Sequence, residues 1–180
     1  MSGEGGETAG TPTALPADRR PEWCGEDDIR QGDLPNGARV LNFVNADLIA
    51  SGLSPLRPEL AAVAAARLML QEVDRLVERC ADFAWESTLS GLAHVRRLQT
   101  MKQLGYHIEI IYLRLASPRL ALRRIAARVQ QGGHDVPKAD VLRRFARSRQ
   151  NFETRYRPLA DAWAVYDNSS RPPKLVESGP

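Results

Sequence analysis

Residues 33–50 read DLPNGARVLNFVNADLIA. The left half, Pro35-Asn36-Gly37-Ala38, has the small turn-forming residues of a loop that wraps a phosphate. The right half, Val40-Leu41-Asn42-Phe43-Val44, is β-branched and aromatic and predicts a buried strand. A phosphate loop continues as G-K-[ST] into a helix, because lysine and hydroxyl serve the β/γ-phosphates and Mg²⁺. That continuation is absent, and Arg39 leads straight into the strand. The strand then stops on Asn45-Ala46-Asp47, and polar residues past the carboxyl ends of parallel strands are where such sheets bind ligands.

Outward from this stretch, strands and helices alternate. A turn-like Ser51-Gly52-Leu53-Ser54-Pro55 precedes a helix over residues 58–80, with Pro58 in its first turn and an apolar stripe of Leu60, Val63, Leu70, Val73, Leu76, Val77 and Cys80. Phe83-Ala84-Trp85 is a second strand ending at Glu86. Ser90 is a candidate N-cap for a helix to Leu104, with Gly105 as its stop. A third strand spans residues 106–115, and Ser117-Pro118 opens a helix to about Gln131. Gly132-Gly133 breaks the pattern before a helix over 138–156, and Trp163-Ala164-Val165-Tyr166 is a last strand ending at Asp167-Asn168. Strands separated by helices of this length imply βαβ units and a parallel sheet, so the fold class is α/β. Three of the strands end on polar residues: Asn45 with Asp47, Glu86 with Thr88, and Asp167 with Asn168.

The chain has 180 residues, 43% hydrophobic and 26% charged, which suits one folded domain with its own core. Residues 1–36 are rich in Gly, Pro, Glu, Asp and Thr and poor in large apolar groups, so they are expected to be disordered. The domain is expected over 37–172, with 173–180 as a tail. No run approaches the length of a membrane span, and no apolar signal core opens the chain. Cys24 and Cys80 have no metal-ligand spacing and suggest no disulfide framework, which favours a reducing cytoplasm. Net charge is +3, with arginines crowded between Arg114 and Arg157, which points to an anionic partner. An Arg-rich nucleic-acid module is one reading. It lacks interleaved aromatics and any recognition motif, so a phosphate-bearing small molecule is favoured.

The runs FVNADLIASGLSP, FAWESTLSG, the Ser117-Pro118 helix start, RVQQGGHDVP and VYDNS, in that order, resemble the zeta toxin-like P-loop kinases, a group that includes predicted UDP-N-acetylglucosamine kinases. The resemblance covers about residues 40–170. It implies a nucleoside-monophosphate-kinase-like three-layer sandwich of the P-loop NTPase type, and ATP- and Mg²⁺-dependent phosphorylation of a small hydroxyl substrate. Family members begin with a central strand, the G-x-x-x-x-G-K-[ST] loop and a first helix. Here Asn36 and Gly37 resemble the middle of that loop, while the lysine, the Ser/Thr and the helix are missing, and the sheet is expected to lack its first, central strand.

By the same resemblance Asp47 is the general base, Asn45, Glu86 and Thr88 meet the substrate, and Asn36, Gly37, Arg124 and Asn168 meet the nucleotide. Arg128 and Arg144 are the arginines chosen for the phosphates, with Arg143 nearby. Each has a plainer alternative. Asp47 is equally placed to cap a helix, Glu86 to be a solvated strand-end acid, the arginines to be a hydrated helix face, and Asp167-Asn168 to shape a turn. His134 has no ligand at metal spacing and reads as a loop histidine, so no metal site is expected from spacing. An antitoxin partner follows only from the family's name.

Overall fold

The alternation of Tyr106, Ile108, Ile110 and Tyr112, all buried, with half-buried neighbours makes β4 (Tyr106–Arg114) the longest strand of the sheet. The computed structural model describes residues 10–16, 41–130, 136–170 and 172–180. The other strands are β1 (Gly10–Pro16), β2 (Asn42–Val44), β3 (Phe83–Trp85), β5 (Ala162–Asp167) and β6 (Lys174–Gly179). Their order across the sheet is β2-β3-β1-β4-β5-β6. β2 with β3 and β4 with β5 pair in parallel, while β1 and β6 run against their neighbours. β2, β3, β4 and β5 therefore point one way, and their carboxyl ends share one edge.

Two expectations need correction here. The centre of the sheet is not vacant, because β1 occupies it. Its residues 10–16 lie opposite Tyr106–Tyr112 of β4, and Thr13 and Ala14 lie opposite Ala84 and Phe83 of β3. The reason is the cost of leaving two buried ladder edges without partners. A short segment with Leu15 as its one large apolar residue suffices, since the ladder needs only its backbone. Residues 174–179 are likewise no tail: β6 extends the sheet beside β5, and Gly179 lies so close to the Trp163 ring that a Cβ would come within 2.7 Å of it.

The helices are α1 (Ala46–Leu53), α2 (Pro58–Glu78), α3 (Ala93–Gln103), α4 (Pro118–Gln130) and α5 (Lys138–Asn151). Ser51, Gly52 and Leu53 thus close a helix rather than a turn. In α2 the buried line is Ala61, Ala65, Met69, Val73 and Leu76, while Leu60 and Val63 of the expected stripe are exposed. α1 packs on the first half of α2 through Ala50, Ala61 and Ala65, and such a close approach of two backbones selects alanine over leucine. α2 ends in a Schellman turn: the N–H of Ala81 donates to Leu76 and that of Cys80 to Val77, with Cys80 at φ 49°. Cys80 is disulfide-bonded, and the other half lies outside the described residues. That corrects the reading of the cysteines as unpaired, because spacing along a chain says nothing of which sulfurs the fold brings together. It also removes the support that reading lent to a reducing compartment.

The principal core lies between the sheet and its helices and is centred on Phe83, Trp85, Leu98, Ile108, Ile110, Tyr112 and Phe152. After Asn151 the chain widens into a π-helical turn, Phe152–Tyr156, and then a 3₁₀ turn, Arg157–Leu159. One continuous α-helix to residue 156 was the simpler expectation from periodicity. No helix among the described residues is long and apolar enough to cross a membrane.

Candidate active site at the carboxyl ends of the parallel strands

Val44 ends β2 and Trp85 ends β3, so Asn45 and Glu86 emerge side by side. The Glu86 N–H donates to the Val44 carbonyl (3.1 Å), and the Asn45 side-chain amide donates to the Glu86 carboxylate (2.6 Å). Asn45 Oδ1 accepts from the N–H groups of Asp47 (2.8 Å) and Leu48 (3.0 Å). One asparagine therefore caps α1 and holds Glu86 at the same time. The two accepted N–H groups fix which end of the amide is oxygen, and so require the NH₂ to face the carboxylate. The helix cap is Asn45, not Asp47. Asp47 sits exposed in the first turn of α1. Its plainer role is thus already taken by its neighbour.

An open groove of about 450 Å³ runs along the outer edge of β2 and reaches Asn45; Leu41, Phe43, Leu48 and Glu72 line it. Past Glu86 the chain makes a tight turn. The Ser87 hydroxyl accepts from the Leu89 N–H (3.3 Å), the Thr88 and Ser90 hydroxyls are 2.9 Å apart, and Leu89 is fully buried at φ 52°. Ser90 therefore serves the turn instead of capping α3, which starts three residues later. Asn151 and Tyr156, which no motif marks, grip this turn from the far side.

The arginine half of the site stands at the ends of β4 and β5. Arg124 of α4 donates to the Asn168 carbonyl (2.6 Å), and the Asn168 N–H donates to the Arg114 carbonyl (2.8 Å). Asp167 accepts from the Ser169 N–H (2.8 Å) and pairs with Arg114 at 3.7 Å. The Ser169 contacts first, and Arg114 after them, hold its carboxyl below the usual range. Asp167-Asn168 thus shapes the turn that ties the two strand ends together. α4 and α5 meet through Ala121, Ile125, Val136 and Val141. On these helices Arg124, Arg128 and Arg144 are half-buried, while Arg119, Arg123, Arg143, Arg147 and Arg149 are exposed. Arg143 is paired along its own helix with Asp140 (2.6 Å). The Ser148 hydroxyl meets that of Tyr112 near the end of β4 (3.3 Å). Arg144, one turn before Ser148, therefore stands at the level where the strands end.

Asn45, Glu86, Thr88 and Asp47 thus gather at one end of the edge, and Arg124, Asn168 and Arg144 at the other. Gly10, which starts β1 opposite Tyr112, lies between them. Asn36, Gly37 and His134 fall outside the described residues. The described residues do not by themselves fit a triphosphate with Mg²⁺. The sequence has no G-K-[ST], the central strand arrives at this edge with its amino end instead of a loop and helix, and no group of three metal-ligating side chains exists among the described residues.

Substitution at Asn45 tests the Asn45–Glu86 pair. Asn45→Ala removes the α1 cap and leaves Glu86 without its amide donor. A fall in stability of about 1–2 kcal/mol is expected from the cap alone, read from urea unfolding. Asn45→Asp keeps the cap but sets two carboxylates together, so it should be rescued by acidification whereas Asn45→Ala should not.

Four strands pointing one way, polar residues at their carboxyl ends and flanking helices are consistent with an α/β fold of the P-loop NTPase-like class. The chain belongs to the zeta toxin family, whose model matches residues 57–171. It is 31% identical over 125 residues to an uncharacterized protein of Haemophilus influenzae, covering 68% of this chain and 89% of that one. No solved structure matches it.

Proposed function

We propose that this chain is a zeta toxin-like phosphotransferase scaffold that retains the acceptor side of the reaction and turns over slowly, if at all. The acceptor is a small hydroxyl compound of the UDP-amino sugar class. The observation that carries this reading is the Asn45–Glu86 pair, 2.6 Å apart, beside an exposed Asp47. A carboxylate free of capping duty at a helix N-terminus can take the proton of a bound hydroxyl. Glu86 and Thr88 would orient the sugar, and the groove along β2 offers the exposed Phe43 ring to the rest of the ligand. Arg128 and Arg144 would meet its phosphates as forked donors. In family terms the scaffold is the nucleoside-monophosphate-kinase-like sandwich. Charge neutralisation and positioning supply nearly all of phosphoryl-transfer catalysis, and the missing loop takes away most of both.

Calorimetry separates the two halves. UDP-N-acetylglucosamine is expected to bind the full chain, with affinity lost in Glu86→Ala, and ATP–Mg²⁺ is expected to give no heat in the micromolar range. Micromolar ATP affinity abolished by Arg128→Ala would restore an active kinase. Absence of any sugar-nucleotide binding would remove the acceptor reading.

A further inference from the structure

We infer that Asn151 and Tyr156 are positioning residues of the acceptor site, acting through the turn that carries Glu86 and Thr88; this rests on the acceptor reading above. Asn151 Nδ2 donates to the carbonyl of Leu89 (2.8 Å), and the Tyr156 hydroxyl donates to the carbonyl of Gly91 (2.6 Å). α3 has no side-chain cap of its own, and the Tyr156 bond fixes Gly91 just ahead of its first turn. Burial pushes the Tyr156 hydroxyl up to about 12, partly offset by the His94 N–H, so it remains a donor throughout the physiological range.

Leu89 is what these bonds hold in place. A leucine at φ 52° sits in a region that L residues with a branched side chain rarely occupy. Such a conformation persists only where the surroundings over-determine it. Here the side chain is fully buried, the N–H is held by Ser87, and the carbonyl is held by Asn151. The turn reverses the chain within a few residues of the β3 end, which presents Glu86 and Thr88 on the site edge instead of feeding β3 directly into α3.

The π-helical turn explains how one helix supplies both grips. Residues five apart on an α-helix, at about 3.6 residues per turn, point to different sides. The wider winding of Phe152–Tyr156, closed by the Arg157 N–H to the Phe152 carbonyl, brings position 156 back toward the side of position 151. Single π turns concentrate at functional sites for this kind of re-aiming. The helix that bears them is α5, whose Arg144 stands at the same edge. The turn carrying the acceptor residues is thus referenced to the arginine-bearing helix.

Two measurements on the full chain test this. Native-state hydrogen exchange at the Leu89–Gly91 amides is expected to be faster by about tenfold or more in Asn151→Ala and Tyr156→Phe, with the β4 core amides little changed. The dissociation constant of UDP-N-acetylglucosamine, taken where every variant is fully folded by circular dichroism, should rise about five- to tenfold in each. Thr154→Ala, which removes the Thr154 hydroxyl bond to Gln150 on the same element, should leave both unchanged. Unaltered exchange in both variants overturns the inference whatever the ligand does. Faster exchange with unaltered sugar-nucleotide affinity overturns the positioning role. If the wild-type chain takes no sugar nucleotide, the acceptor reading falls and the positioning role falls with it, while the exchange data still report the grip on the turn.

Discussion

A chain lacking residues 1–16 is expected to lose cooperative unfolding at the temperature where the full protein is still folded. β1 lies along β4 from Tyr106 to Tyr112 and touches β3 at Ala84 and Phe83, so its removal opens two ladder edges in the middle of the sheet. At about 1 kcal/mol net for each lost hydrogen bond, the loss is on the order of 4–6 kcal/mol before any packing is counted. Total stabilities are about 5–15 kcal/mol, so such a loss brings the chain to the margin. Thr13→Pro is the finer probe, because Thr13 lies between both neighbours and proline has no N–H to donate. It should lower the urea midpoint clearly, while Thr13→Val, which keeps the N–H, should not. A deletion variant that melts with an unchanged midpoint and slope would show that β1 does not hold the sheet together. The orientation of β1 also bears on function. Its carboxyl end lies at the far edge from Asn45 and Glu86, so no loop following it can begin where a phosphate loop would stand.

The places where sequence reading succeeded and failed divide along physical lines. Phe83-Ala84-Trp85 was legible as a fully buried apolar run and Tyr106–Arg114 by its Ile- and Tyr-rich centre and alternating burial. Gly105 was legible as a helix stop because φ 86° there asks for glycine. Asn45, Glu86 and Asn168 were legible as strand-end residues because each follows an apolar strand directly. β1 was not legible: Gly10–Pro16 has no apolar alternation and a single large apolar residue, Leu15, and its place is set by the ladders on each side. The α1–α2 contact was misread because hydrophobic periodicity weights leucine and valine, whereas close helices select Ala50, Ala61 and Ala65. Asn151 and Tyr156 gave no signal either. Their partners, Leu89 and Gly91, are distant in sequence, and five-residue spacing belongs to no regular helix pattern.

Phe152→Ala is the second change expected to have a large effect. Phe152 is fully buried, stacks on Tyr112 with centroids 4.6 Å apart, and meets the edge of Trp163 at 6.3 Å. It therefore joins β4, β5 and the π-helical turn in one aromatic cluster. Truncating a buried phenylalanine costs about 3–5 kcal/mol through lost transfer energy and the cavity left behind. At about 2–4 °C for each kcal/mol in a chain of this size, the melting temperature should fall by roughly 6–20 °C. Phe152→Leu keeps most of the volume and should cost less than half of that. A melt within about 3 °C of wild type for Phe152→Ala would mean that the cluster is not packed as described. The position also separates stability from site geometry. Phe152 lies between Asn151 and Tyr156, so its truncation should loosen the Leu89 turn as well as the core. Tyr156→Phe, which keeps its ring in the core, should loosen the turn with a much smaller fall in melting temperature. A protein in which the two losses always scale together would place Asn151 and Tyr156 with the core and not with the site.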